Sequence, residues 1–446
     1  MWIAFLFLLV LTPDERRAHE RSFQVVWETV REQHWDVKQV GSSWEKERRT
    51  RLKQMARAQT PEEIHAITQS MLDSLGQSHF QVIPGRYYRR LKPLRSKKAK
   101  AAALTGDPGV EPTEAAKTGD DASEEEERGE PGVTGAVLDF VEKRPTVVEV
   151  EPGSPAAQAG VRRGWILKQA GDLDVEAYFA EPVPNDIREK SRYRRAVLAS
   201  LLSGPLDDTV PASFETGSGE VRHVTLGRRT PRGNTIRFGN FPEERVWIDT
   251  APATAQVGRL RLNAFMDPER LMPAIENAVK ACVACRGFVI DVRGNPGGLA
   301  AMAMGVAGWF TRESGQKLGT LRARDHTEEF EIRRRARPFN GPVAILVDGG
   351  SASTAEILAG GLQDSRRARL FGERTAGAAL PSHMMRLPNG DGFQYATANY
   401  VSQSGRLLEG NGVTPDDVVP QTRAALLAGG DAPLDAALRW ILRQEP

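Results

Sequence analysis

Apolar and polar positions change their spacing several times along the chain, and those changes divide it. Trp2 to Leu11 is one unbroken apolar run. From Glu15 to about Ser74 apolar residues recur at helical spacing. Phe23, Val26, Trp27 and Val30 make one stripe, Trp44 opens a second, and Ile64, Ile67, Met71, Leu72 and Leu75 make a third. Thr60-Pro61-Glu62-Glu63 supplies a cap, a first-turn proline and early acids for the last of these helices. Gly76 ends it, and Ser78-His79-Phe80-Gln81-Val82 reads as the start of an extended segment. Between about Arg86 and Val133 no apolar period survives. From Thr134 to Leu226 short apolar runs broken by Gly and Pro predict a small β-rich domain, with Val147-Val148-Glu149-Val150 as one strand. After about Arg237 strands alternate with helices. Val257–Leu262, Gly287–Val292 and Val343–Val347 are the strands, and helices follow from Pro268, from Leu299 and from the Ser/Thr cluster at Ser351. That alternation implies an α/β layer structure with its site in the loops at strand ends. The expected units are 1–12, 13–85, 86–133, 134–228 and 236–446.

Composition adds little to this division. The 446 residues carry a net charge of +2 with acids and bases mixed, which points to no nucleic-acid partner. The segment 86–133 departs from the rest, because it begins basic (Arg89, Arg90, Lys92, Arg95) and turns acidic (Asp120, Asp121, Glu124 to Glu127). It reads as a charged disordered linker. The first run is short for a bilayer span and fits the apolar part of an export signal or a membrane tether; a buried N-terminal helix is the alternative. The expected location is therefore periplasmic or secreted, with a membrane anchor as a variant. The two cysteines, Cys282 and Cys285, are too few for a zinc site and are expected as structural thiols or one local disulfide. No cofactor and no metal are expected.

One stretch carries candidate chemistry. Val343-Ala344-Ile345-Leu346-Val347 is a buried strand, Gly349-Gly350 a turn, and Ser351, Ser353 and Thr354 open a helix. Glycines let a substrate approach the backbone, and free amides at a helix start can stabilise an anion. Serine and threonine that only cap the helix are the alternative reading.

Three segments in order carry a resemblance: Asp291-Val292-Arg293-Gly294-Asn295-Pro296-Gly297-Gly298, Gly350 to Leu358, and Phe371-Gly372-Glu373-Arg374-Thr375-Ala376-Gly377. Together they resemble the C-terminal processing (tail-specific) serine proteases and the related catalytic core of tricorn protease. The stretch Pro152-Gly153-Ser154-Pro155-Ala156-Ala157-Gln158-Ala159-Gly160-Val161, with Gly164 to Leu167, resembles a bacterial PDZ domain. The resemblance implies an α/β fold with a spiral core similar to Clp protease and crotonase, an N-terminal helical region and a β-rich PDZ-like domain. It implies a serine endopeptidase acting on protein tails or unfolded polypeptides. In the PDZ-like part it makes Gly135, Ala136 and Val137 the loop that receives a peptide C-terminus.

By register the nucleophile is Ser353, with Ser351 supporting the turn. The family's lysine base falls on Ala378, and no lysine follows Lys317. Arginine stays protonated and cannot replace it. The tricorn branch instead takes its base from a Ser-His pair after the helical region and adds a glutamate near the C-terminus. Ser78-His79 and Glu409, in Leu408-Glu409-Gly410-Asn411-Gly412, occupy those places. The expected site is Ser353 as nucleophile, His79 as base, Glu409 and Ser78 as its partners, with an oxyanion hole from the amides of Gly297 or Gly298 and Thr354. His383 is the competing base, and Glu409 capping a turn is the alternative for that residue. An inactive relative that binds peptides or hydrophobic ligands is the second functional reading.

Overall fold

The computed structural model describes residues 11–85, 132–180, 187–206, 208–241 and 243–444, without the side chains of 187–193. The expected signal or anchor run and most of the charged linker lie outside the described residues.

The helical region has three helices, Pro13–Gln33, Ser42–Met55 and Pro61–Asp73. The first and third start alike. Thr12 and Thr60 accept from the amides of Glu15 and Glu63, whose carboxylates return to the threonine amides, and proline takes the first turn of each. Phe23, Val26, Trp27, Val30, Ile64, Met71 and Leu72 face inward. This cluster is closed by Leu380, Leu387, Phe393 and Ala396 from the far end of the chain. The link is a three-stranded antiparallel sheet in which Gln81–Ile83 pairs with Gly392–Ala396, itself paired with Ser382–Arg386. Helical region and C-terminal region therefore share one core.

The expected extended segment from Ser78 is shorter than its sequence suggests. The strand covers only Gln81–Ile83, and His79 has φ of 62°. The Ser78 amide and hydroxyl turn instead toward Glu409.

A six-stranded sheet forms the heart of the C-terminal region. Its order is Ile248–Asp249, Val257–Leu262, Gly287–Asp291, Val343–Val347, Arg369–Gly372 and Asp417–Val418, parallel except for the first pair. Both faces are covered, which explains why these strands are continuous apolar runs and not alternating ones. One face takes the helices Pro268–Ala281, Ala300–Ala307 and Thr354–Asp364. The other carries Val257, Val289, Ala344, Leu346 and Phe371 against Ala437 and Ile441 of the C-terminal helix Ala432–Arg443. Gly287 is needed at its position, since a Cβ there would lie 2.2 Å from the Ile441 side chain. The helix expected from Leu299 to about Phe310 stops at Ala307, with Gly308 as its cap.

The segment 132–229 folds on its own sheet, ordered Ala136–Val141, Arg144–Val150, Ile166–Ala170, Val210–Glu215 and Val221–Leu226. Ala136–Val141 is an edge strand, and the helix Ile187–Ser200 packs beside it. Cys282 and Cys285 form a disulfide at the end of the helix Pro268–Ala281, which settles the two expected states in favour of the bond. The whole is a mixed α/β fold.

Candidate active site

The strand Val343–Val347 delivers the chain to a turn held from within. One oxygen of Asp348, Oδ1, accepts from the amides of Gly294 at 2.9 Å, Gly350 at 2.8 Å and Ser351 at 3.0 Å. Ser351 is fully buried, and its hydroxyl donates to the Val292 carbonyl at 2.8 Å. Buried and bonded in this way, it braces the turn. Two residues on, Ser353 has φ of 52° and ψ of −118° before the helix Thr354–Asp364 begins. A positive φ in a non-glycine residue is costly and is kept where surrounding bonds over-determine it.

Those bonds come largely from Glu356. Its buried carboxylate accepts from the amides of Ser353 (3.1 Å), Gly377 (2.8 Å) and Ala378 (2.9 Å) and from the Thr375 hydroxyl. Burial pushes this carboxyl upward in pKa, against the four donors that favour its charged form. The Ser353 amide also donates to the Ala378 carbonyl at 2.8 Å. The position where the resemblance calls for a lysine thus presents a buried methyl and a backbone that grips the Ser353 turn.

Ser78, His79 and Glu409 come together. Glu409 Oε1 accepts from the Ser78 amide at 2.7 Å, and Oε2 accepts from the Ser78 hydroxyl at 2.9 Å. A carboxylate has only acceptors, so the single Ser78 proton is spent on it. Ser78 Oγ lies 2.7 Å from His79 Nδ1 and must then accept from an Nδ1–H. The tautomer follows: Nε2 keeps its lone pair. Glu409 Oε2 accepts a third bond, from the Ala379 amide at 3.0 Å. One peptide unit, between Ala378 and Ala379, therefore holds the Ser353 amide on its carbonyl side and Glu409 on its N–H side.

Gly297 and Gly298 stand against the serine in different ways. The Gly297 amide donates to Asn295 Oδ1 at 2.8 Å, so it is already committed. What Gly297 provides is room, because a Cβ there would lie 2.7 Å from Ser353 Cβ and 2.9 Å from the Thr354 nitrogen. The amides of Gly298 and Thr354 make no bond among the described residues, while the Thr354 hydroxyl donates to the Gly298 carbonyl at 2.7 Å. Thr354 is the first residue of its helix, where amides lack intrahelical partners. Of the three amides expected at an oxyanion hole, those of Gly298 and Thr354 are the ones left without a bond among the described residues.

His383 lies on the exposed side of the strand Ser382–Arg386, its ring 5.9 Å from that of Tyr395. The hydrogen-bonded chain that leaves the Ser353 turn passes through the Ala378–Ala379 peptide, Glu409 and Ser78 and ends on His79. Among the described residues, no group of three His, Cys, Asp or Glu side chains is placed to hold a metal. Gly135 precedes the edge strand of the β-rich sheet, which Ala136 and Val137 begin. Gly135 has φ of 81° and leaves no space for a side chain, since a Cβ would lie 2.2 Å from Ser154 Cβ.

Sequence reasoning missed two supports. Arg195, on the helix Ile187–Ser200, bonds Asp139 Oδ2 at 2.7 Å and reaches Asp348 and Glu373 at 3.8 and 3.9 Å. It joins the β-rich unit to the Ser353 turn. Burial raises the Asp139 carboxyl to about 6, with Arg195 opposing and Asp348 adding to the rise. Arg293, at the foot of the glycine loop, spans Asp291 at 2.7 Å and Asp431, the cap of the C-terminal helix, at 2.8 Å. Burial alone would raise Asp291, and Arg293 and Arg261 more than reverse it. Asp348 could have been found from its place between a strand end and a Gly-Gly turn. Arg195 had no local signal.

Comparison with known proteins places the chain among relatives. Residues 256–419 match the model of Peptidase family S41. A carboxyl-terminal-processing protease of Synechocystis sp. is 31% identical over 295 residues, 64% of this chain and 62% of its own. A carboxy-terminal-processing protease of Bartonella bacilliformis is 32% identical over 185 residues, 40% of this chain and 42% of its own. The chain spans about half the length of these curated relatives, with 59% for another from Picosynechococcus sp.. Among solved structures, the photosystem II D1 C-terminal processing protease superposes with TM-score 0.54 at 22% identity, over 96% of this chain and 97% of that one. Mature CPAF complexed with lactacystin gives 0.57 at 13% identity, over 96% and 98%. At such identities the likeness shows the fold. By its core segment and its relatives, the chain is related to Peptidase family S41 and to the carboxyl-terminal-processing proteases.

Proposed function

We propose that the protein is a serine endopeptidase that cleaves protein tails or unfolded polypeptides. One observation carries this reading: the hydrogen-bonded chain from Glu409 through Ser78 to His79, tied by the Ala378–Ala379 peptide to the strained Ser353 turn. Ser353 attacks the peptide carbonyl while His79 Nε2 takes its proton and passes it to the leaving amine. Ser78 and Glu409 hold the ring in the useful tautomer and stabilise the imidazolium. The amides of Gly298 and Thr354 receive the oxyanion. The acyl-enzyme is then hydrolysed by water that His79 activates.

The β-rich unit serves as a PDZ-like recruiting module in this reading. Support comes from Ala136–Val141, an edge strand with a helix alongside, the arrangement in which a peptide adds as a further strand. Function outside the cytoplasm is supported by the Cys282–Cys285 disulfide, since such bonds persist in oxidising compartments. Among the described residues no helix is long and apolar enough to cross a membrane.

The test is covalent labelling of the full chain by a fluorophosphonate, in wild type and in Ser353→Ala and His79→Ala. Labelling and peptide turnover that vanish in both variants are expected. A wild type that never labels, across pH and with peptide present, would leave the protein a binding relative. Turnover that survives His79→Ala and is lost in a His383 variant would move the base.

A further inference from the structure

The central sheet has a second polar concavity at the edge opposite the nucleophile turn. Its parallel strands begin there, near Gly287, Val343, Arg369 and Asp417, whereas the candidate site leaves from their other ends. A cleft of about 580 Å³ opens at this edge, with Arg312, Arg366, Arg367, Arg369, Asp416 and Trp440 among its walls.

The charges of this cleft are not balanced. Arg369 is committed to Asp417, with Nε 2.5 Å from Oδ2. Asp416 already accepts the Leu370 amide at 2.8 Å. Arg367 gives Nε to the Phe310 carbonyl and Nη2 to those of Phe339 at 2.7 Å and Gly341 at 2.9 Å. All three acceptors are neutral, and its Nη1 bonds nothing among the described residues. Burial and the neighbouring Arg312 push the Arg367 guanidinium down to about 10, with no carboxylate to hold it up. Among the described residues, the Arg312 side chain bonds the Asn340 carbonyl and no acidic group. The exposed Arg366 side chain has no acidic partner among the described residues. Two guanidinium charges remain uncompensated after both aspartates are counted, and the carboxyl end of the helix Thr354–Asp364 offsets about half a charge.

Arg366 also sits where the backbone favours glycine. It follows the helix cap with φ of 54°, and the amides of Arg366 and Arg367 close onto the carbonyls of Gln363 and Leu362. Glycine is the usual residue at this position, so an arginine there carries strain without a structural return. Its one distinctive contribution is a charge at the cleft.

We propose that this cleft binds a phosphoryl group, carried by a small molecule or a lipid headgroup, through Arg312, Arg366 and Arg367. Several convergent guanidinium forks suit a tetrahedral anion with several acceptor oxygens better than a single planar carboxylate. The volume exceeds that of a bare anion and falls in the range of small-molecule sites. Trp440, packed on Phe371 with ring centroids 5.8 Å apart, offers an apolar wall for the carrier.

The experiment measures calorimetric binding and thermal shift of the full chain with inorganic phosphate and glycerol 3-phosphate, chloride serving as the ionic-strength control. A parallel arm measures co-sedimentation with vesicles of phosphatidylglycerol in phosphatidylcholine. Saturable binding is expected for at least one probe, weakened about tenfold or more in Arg366→Gly and in Arg312→Gln, and unchanged in Arg49→Gln. Arg366→Gly should melt at or above the wild-type temperature, because glycine fits the turn, so lost binding cannot be lost folding. Vesicle binding that Arg366→Gly abolishes, with no binding of the soluble phosphates, assigns the site to a headgroup. No saturable binding of any probe, or binding that both cleft variants leave unchanged, overturns the proposal.

Discussion

Replacing Glu409 by glutamine tests the relay at its anchor. The carboxylate meets three donors: Ser78 N at 2.7 Å on Oε1, and Ser78 Oγ at 2.9 Å and Ala379 N at 3.0 Å on Oε2. A glutamine amide has one acceptor oxygen and one donor group, so it cannot serve all three. With its oxygen at the Oε2 place, the amide nitrogen confronts the Ser78 N–H. With its oxygen at the Oε1 place, the nitrogen confronts the Ala379 N–H and turns the Ser78 hydroxyl around. That hydroxyl then donates to His79 Nδ1, the ring proton moves to Nε2, and the base is lost. Either way one partly buried donor goes unsatisfied, a cost of about 1–3 kcal/mol in stability. Turnover of a fluorogenic peptide should fall by about 10²–10⁴, the upper end being the effect of a wrong tautomer in the Ser-His-Asp proteases. Denaturant unfolding and a kcat pH profile, measured side by side, separate the two losses. Glu409→Gln turnover within about fivefold of wild type, while His79→Ala is dead, would refute the relay.

Three further outcomes follow from the same geometry. Gly297→Ala places a methyl 2.7 Å from Ser353 Cβ at φ of 107°, and fluorophosphonate labelling should slow by about 10²–10³ with the fold retained. Arg293→Met strands Asp291 and Asp431 without their shared cation, and urea unfolding should show a loss of roughly 3–5 kcal/mol. The Asp139 carboxyl holds its proton to about 6 when folded, above its value of 3.8 in the free chain. Its contribution to stability therefore falls as pH rises between those values and is level beyond them. Stability of wild type relative to Asp139→Asn should decline across that window and nowhere else, a difference that paired unfolding curves from pH 3 to pH 8 would reveal.

What could be read from the chain was what neighbours decide. Thr60, Pro61 and Glu63 start a helix in the structure as they do in the sequence, because cap, proline and acid act within one turn. The central strands were plain for a similar reason, being continuous apolar runs buried on both faces. The glycine loop was half legible. Gly297 and Gly298 looked equivalent until the Asn295 side chain claimed the Gly297 amide, a two-residue turn pattern that asparagine often makes. The bend at His79 was hidden because Glu409, 331 positions away from Ser78, causes it. Arg195 was illegible altogether: its partners Asp139, Asp348 and Glu373 meet only when the β-rich unit docks on the core.

The pairing of Gln81–Ile83 with Gly392–Ala396 has a consequence for biosynthesis. It joins ends of the chain separated by 311 residues at Val82 and Phe393, and closing such a loop costs roughly 5 kcal/mol in chain entropy. That cost is met only after the last strands leave the ribosome. Until then Ser78 and His79 have no Glu409 beside them, and Ser353 has not yet been made or lacks the grip of Ala378. A growing chain therefore carries no working site while it is most exposed to its siblings. Any peptidase activity switches on late, once the last strands have paired.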